Sequence, residues 1–113
     1  MGEALPYTLE MYGTREGHVP FTAWLDALRD VQARARILVR LNRLRSGNPG
    51  DAHALGGGLW ELRIDYGPGY RVYYAQSTRT SVVLLCGGDK TTQAADIQRA
   101  QQYWHEYQHR RRP

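Results

Sequence analysis

The chain is poor in cysteine, in lysine and in long apolar runs. Cys86 is the one cysteine, so no disulfide can form within the chain, and a reducing cytoplasm is the expected location. No stretch approaches the roughly 18 apolar residues that a membrane span needs. The start, "MGEALPYTLE", lacks the basic-then-apolar pattern of a signal peptide, which agrees with a cytoplasmic expectation. Lys90 is the single lysine, so nearly all the basic charge behind a net +4 is arginine. Arginine grips phosphate through a planar fork and suits a nucleic-acid ligand, although a charge of this size also serves plain solubility. What remains is an ordinary globular mix: 113 residues, 42% hydrophobic and 23% charged. That predicts one domain over residues 1–113, with one core between two layers and no room for a separate cofactor domain.

Residues 5–12, "LPYTLEMY", alternate loosely and predict a first strand. Pro20 opens a helix over 20–29, with Phe21, Trp24, Leu25 and Leu28 at helical spacing. A second helix follows at once, so the two predict a helical hairpin. Its expected inner stripe is Val31, Ala35, Leu38, Leu41 and Leu44, with Ile37 beside it, and Gly47 and Pro49 end it. "NPGDAHALGGG" reads as a loop. "LWELRIDY" and "YRVYYAQ" flank "GPG" as a hairpin, and "SVVLLC", apolar on both parities, reads as a strand covered on both faces. In "GGDKTTQ" the two glycines read as a sharp backbone turn, with Thr92 as N-cap of a last helix from about 93 whose "RRRP" end is expected to fray. The expected fold is α+β in the order βααβββα: a twisted, mainly antiparallel sheet with an N-terminal helical hairpin and a C-terminal helix.

Alternation in the hairpin puts Trp60, Leu62, Ile64 and Tyr66 on one face and Glu61, Arg63 and Asp65 on the other. An odd-length loop keeps apolar opposite apolar, because a one-residue slip flips a whole strand. With "GPG" as the loop, Tyr66 faces Tyr70, Ile64 faces Val72, and Leu62 faces Tyr74. Asp65 then faces Arg71, and Arg63 faces Tyr73. Both arginines are thereby expected on an open polar face. A cross-strand Asp65–Arg71 ion pair accounts for one of them without any function. If the strand ending in "GGDK" lies alongside, Arg63, Arg71, Tyr73 and Lys90 line one surface, a cationic and aromatic lining that suits single-stranded nucleic acid.

The combination "ELRIDYGPGYRVYY" with "LLCGGDKTTQAADIQRA" resembles the RelE/ParE superfamily of toxins from type II toxin–antitoxin modules. It is most similar to the HigB-like addiction-module killer branch, which includes phage-derived members; the likeness runs from about Tyr7 to Tyr107 and extends to the element order. The resemblance implies a ribosome-dependent mRNA interferase, an endoribonuclease that inhibits translation without a metal or other cofactor. In that chemistry the ribose 2′-hydroxyl attacks the adjacent phosphate, leaving a cyclic phosphate and a free 5′-hydroxyl. It implies that Arg71 clamps the scissile phosphate, with Arg63 and Lys90 as further basic groups. RelE proper carries a lysine at about Glu61 and a tyrosine near Asp96, so the proton-transfer group is open among His53, Tyr73 and Asp89. Implied partners are the ribosome, mRNA and a cognate antitoxin, often a helix-turn-helix protein, with no membrane. The antitoxin is expected to cover either the concave face or the helical hairpin with an apolar, acidic segment. A ParE-like gyrase inhibitor without enzymatic activity, or a degenerate antitoxin-binding module, remains the alternative.

Helix 2 carries Arg34, Arg36, Arg40, Arg43 and Arg45. They read either as a solvated face or, on a ribosome-dependent enzyme, as an RNA-binding row in which Arg34, Arg40 and Arg43 meet rRNA phosphates. His105 and His109 share a helix face, but no third ligand is apparent, so no metal is expected; His105 reaches the active surface only if the helix end folds over it. Tyr103, Trp104 and Tyr107 read as core or antitoxin contacts, and Cys86 as core.

Overall fold

The structure is a computed structural model that describes residues 7–111. Residues 5–6 of the expected first strand and the last two residues of "RRRP" lie outside the described residues. The elements are β1 (Thr8–Met11), α1 (Pro20–Ala27), α2 (Val31–Arg45), β2 (Ala52–Gly56), β3 (Leu59–Ile64), β4 (Tyr70–Thr78), β5 (Ser81–Asp89), a 3₁₀ turn (Lys90–Thr92) and α3 (Gln93–Arg111). They build an α+β fold around one five-stranded mixed sheet in the order β1-β5-β4-β3-β2, with β1 parallel to β5 and the other pairs antiparallel.

Two cores sandwich the sheet. On one face α1 and α2 close over Leu62, Ile64, Tyr70, Val72, Tyr74, Val82 and Leu84, contributing Phe21, Ala33, Ile37, Leu41 and Leu44. On the other face α3 covers Leu59, Tyr73, Ala75, Val83, Leu85 and Cys86, with Ala100 buried and Ile97, Tyr103, Trp104 and Tyr107 packed against them. β5 is therefore covered on both sides, as its double apolar parity requires. Burial pushes the Cys86 thiol up to about 12. α2 starts where the Asp30 side chain accepts from the Gln32 and Ala33 backbone N–H groups at 3.0 and 3.2 Å. Three residues separate α1 from α2, but on the face they share α1 lies mainly on β5 and α2 on β3.

Several expectations change. Residues 52–56, read as loop, form an edge strand on β3, because Gly56, Gly57 and Gly58 adopt positive φ and turn the chain sharply back into β3. The order is thus βααββββα. The inner stripe of α2 is Ala33, Ile37, Leu41 and Leu44; Val31, Ala35 and Leu38 face outward. The hairpin keeps its face assignment but pairs two residues away from the expected register: Ile64 faces Tyr70, Leu62 faces Val72, and Arg63 faces Arg71. A turn from Tyr66 to Gly69, closed at 3.1 Å, uses positive φ at Gly67 and Gly69, so the loop takes five residues, 65–69, instead of three. Gly87 and Gly88 do not turn the backbone; they lie within β5, where Trp24 and Asp96 need their missing side chains. A β-carbon at Gly87 would come within 2.3 Å of the Trp24 ring, and one at Gly88 within 1.8 Å of the Asp96 carboxylate. Asp89 caps the 3₁₀ turn, accepting from Thr91 N at 2.8 Å, and the hydroxyl of Thr92, which precedes α3, donates to Asp96. α3 holds through Arg111, with Arg110 bonded to the Gly13 carbonyl at 2.8 Å and Arg111 to Glu10 at 3.0 Å.

Candidate active site

Alternation and register assemble two rows of side chains on the α3 face of the sheet. One row runs Asp51, Arg63, Arg71, Gly88; the next runs His53, Glu61, Tyr73, Cys86. α3 covers the second row at its β4 and β5 end. The first row borders an open cavity of about 330 Å³ lined by Asp51, Arg63, Arg71 and Lys90 and floored by the 65–69 loop. Gly88 keeps this row low and admits the Asp96 carboxylate beside it, where Arg99 holds it at 2.6 Å.

Glu61 is the hub. It is fully buried, and its carboxylate accepts from Arg63 Nε at 2.8 Å, Gln93 Nε2 at 2.8 Å and the Tyr73 hydroxyl at 3.0 Å; Arg71 Nη1 stands 3.4 Å away. Burial alone would raise its pKa. The hydrogen bonds of Arg63, Gln93 and Tyr73 and the Arg71 charge outweigh burial and hold the carboxyl below its usual range. The expected Asp65–Arg71 pair is therefore replaced by Glu61, a consequence of the two-residue change in register.

Arg71 is less open than alternation alone predicts: its side chain is 10% exposed, against 41% for Arg63. Its Nε and Nη1 are buried with no hydrogen-bond partner among the described residues. A guanidinium carries five N–H donors in a fixed fork, and two of the three Arg71 nitrogens are sealed inside the protein while the side chain borders the cavity. Lys90, in the 3₁₀ turn, is exposed on the same cavity. The three cations expected together are thus together, graded from buried to exposed.

The proton-transfer candidates separate. Tyr73 is completely buried, and its hydroxyl donates to Glu61; burial, and then the Glu61 charge, raise its pKa well above the phenol range. It lies under the surface and not on it. Asp89 is committed to the cap, where Thr91 holds its pKa below the usual carboxyl value. His53 is exposed on β2, on the side of the sheet that carries Glu61, and its Nε2 lies 2.7 Å from Asp51 Oδ1. The expected loop histidine is a strand histidine with a carboxylate partner.

The helix 2 arginines divide. Arg40 donates to the carbonyls of Arg63, Pro49 (3.0 Å) and Asp51 (3.3 Å), tying α2 to the strand that bears the site, so it is spent on structure and is not free for phosphate. Arg43 is exposed and Arg34 partly so, both on α2 across the sheet from the cavity. His105 and His109 lie at the far end of β4, around Gln76–Thr78, so the helix end does not bring His105 to the arginines. Sequence reading missed Glu61, Gln93 and Asp51 as parts of the site. Their signals were the shared parity of Glu61 with Arg63 and Tyr73, the last residue of "GGDKTTQ", and an edge strand read as loop.

Comparison with known proteins adds two findings. The family described as Phage derived protein Gp49-like (DUF891) matches residues 23–104, the span from α1 into α3 that holds Asp51, His53, Glu61, Arg63, Arg71, Tyr73 and Lys90. A protein of Haemophilus influenzae, described as "Uncharacterized protein", is 49% identical over 80 residues, covering 71% of this chain and 81% of that one.

Proposed function

The chain belongs to the Phage derived protein Gp49-like family, a RelE/ParE-like toxin family of toxin–antitoxin modules, and from that premise we propose that it is a HigB-like, ribosome-dependent mRNA endonuclease restrained by a cognate antitoxin. One observation carries the reading. Arg71, nearly buried and held beside Glu61, borders a cavity whose other cations are Arg63 and Lys90. That is a preorganised site for a phosphodiester, where a fixed donor stabilises charge as it develops.

In the proposed reaction the 2′ oxygen forms a bond to phosphorus and the bond to the 5′ oxygen breaks, giving a cyclic phosphate and a 5′-hydroxyl. Arg71 holds a non-bridging oxygen, and Arg63 and Lys90 neutralise the phosphorane. His53, oriented by Asp51 at 2.7 Å, accepts the 2′ proton, and the departing oxygen takes a proton from water. Tyr73 acts by positioning Glu61 and not by transferring a proton. No step requires a metal.

The test is a translating extract. Intact protein is expected to cut mRNA only where ribosomes engage it, and Arg71→Ala to leave it whole. The burial of Arg71 against Glu61 favours a second reading, a ParE-like binding protein in which the ion pair only braces the sheet. Uncut mRNA together with blocked gyrase supercoiling would establish that reading and end the first.

A further inference from the structure

The last turns of α3 contain "HEYQH", residues 105–109. Histidines four apart on a helix share one face, and with a glutamate after the first they have the spacing that zinc hydrolases use. The hydrolytic part is missing here. Glu106 accepts from the Tyr12 hydroxyl at 2.7 Å and from Arg110 Nε at 2.9 Å, and Arg110 and Tyr12 pull its pKa down to about 2. A carboxylate so acidic is a poor base for a metal-bound water. No third histidine, cysteine or carboxylate joins the pair among the described residues.

The two rings are set for a simpler use. Both are exposed, and their Nε2 atoms stand 2.8 Å apart, one donating a proton that the other accepts. With metal–nitrogen bonds of about 2.0 Å, two ligands at right angles stand about 2.8 Å apart, and two at a tetrahedral angle about 3.3 Å. The observed separation is that of neighbouring corners in square-planar or octahedral coordination, which suits copper(II) and nickel(II) better than the tetrahedron of structural zinc. The pair borders a cavity of about 630 Å³ whose wall includes Trp104, Tyr107, Gln76 and Thr78. No carboxylate among the described residues lines it, so magnesium and calcium find no charged oxygen there. Arg111, the arginine in its wall, is neutralised by Glu10 at 3.0 Å.

We propose that His105 and His109 form a two-imidazole site for a divalent transition-metal ion of the nickel and copper class, with water completing the coordination. The ion takes the place of the proton shared between the Nε2 atoms. The donating ring carries that proton on Nδ1 instead, so both rings bind as neutral imidazoles and no proton is released. Chelation from one helix face ties α3 together beyond Ala100, the last of its buried residues among those described. The site shares no lining residue with the arginine cavity, so it stands or falls independently of the ribonuclease reading.

Calorimetric titration of the tag-free full chain with nickel(II) chloride tests this. One nickel ion per chain is expected, and no signal from magnesium(II) chloride. H105Q and H109Q are each expected to weaken binding at least about tenfold, since either loss breaks the chelate. Both side chains are exposed, so the variants keep the fold. H53Q, which removes the exposed histidine of β2, is expected to bind nickel as the intact chain does. Nickel is also expected to raise the melting temperature of the intact chain and to leave that of H105Q/H109Q where it was. Absence of saturable binding below about 1 mM nickel overturns the proposal. So does equal binding by H105Q or by H109Q, because a site that needs one ring is not a chelate. Binding that H53Q abolishes belongs to another histidine and overturns it as well.

Discussion

Glu61 and Arg63, two residues apart on β3 and on the same face of the sheet, meet at 2.8 Å, and every other polar neighbour of Glu61 is also a donor. A fully buried carboxylate is costly unless it is paired and its lone pairs are filled. Here Arg63, Tyr73 and Gln93 donate to it and Arg71 stands beside it as a counter-charge, a set drawn from β3, β4 and the first residue of α3. One carboxylate thus fixes the distance between two guanidiniums and ties the helix start to the strands that bear them.

Removing that charge leaves Arg71 without an ion-pair partner among the described residues. Glu61→Gln is therefore expected to cost about 3 kcal/mol of folding stability, the usual penalty for breaking a buried pair on one side. Urea unfolding of the full chain measures it. A loss under about 0.5 kcal/mol would mean that solvent compensates Arg71 and that the hub is not structural.

Acid should act through the same group. The folded pKa of Glu61 is depressed, so its contribution is present above the unfolded value near 4.5 and is lost as pH falls through the folded value. Glu10 and Asp89 are lowered as well, and Glu106 is pulled to about 2 by Arg110 and Tyr12, so the wild-type acid limb is a sum. The difference between wild type and Glu61→Gln isolates one contribution. It should be constant above about pH 5 and shrink below about 4.5. Unfolding free energies measured between pH 6 and 2.5 decide whether it does.

Alternation made the face assignment legible. It placed Arg63, Arg71 and Tyr73 on one side of the sheet without any knowledge of the pairing, because parity survives a shift of two residues. The pairing itself was not legible, since it depends on how Gly67 and Gly69 fold the turn. β2 stayed hidden because "DAHALGGG" carries more turn residues than strand formers, and only its partner β3 makes it a strand. The stripe on α2 was misassigned because both faces of that helix are apolar, so periodicity alone offered two answers and the sheet chose one. Nor did local reasoning register that Arg71 would sink beneath Glu61 and α3.

Gly87 tests the close packing of α1 on the sheet. A methyl group there collides with the Trp24 ring, itself packed edge-on against Tyr70 at 6.2 Å and beside Phe21 at 5.8 Å. Gly87→Ala should cost about 1–3 kcal/mol as overpacking, and much less in a Trp24→Ala background where the ring is gone. Additive effects in the double-mutant cycle would mean the helix shifts freely and the contact is not restrictive.

If Arg71 clamps a phosphate, charge alone should not replace it. Arg71→Lys keeps the cation but loses the planar fork, so mRNA cleavage should fall by about 10²-fold or more, as when a positioned donor is removed from a site of developing charge. Cleavage near the wild-type rate would reduce Arg71 to a source of positive potential.

His53 stands on β2 and Arg71 on β4, two strand spacings apart, or about 10 Å across the sheet. A nucleotide whose phosphate rests on Arg71 spans that gap only if its ribose leans toward Arg63, which brings the 2′-hydroxyl toward the exposed imidazole. Asp51 then matters because its contact at 2.7 Å orients the ring. His53→Gln should lower single-turnover cleavage by about 10²-fold, within the range for loss of a general base, while leaving RNA affinity unchanged. Asp51→Asn should fall between that variant and wild type, because it keeps the imidazole and loosens the contact that orients it. Equal activity in all three proteins would remove proton transfer from this edge of the sheet, leaving a reaction driven by alignment and charge at the arginines alone.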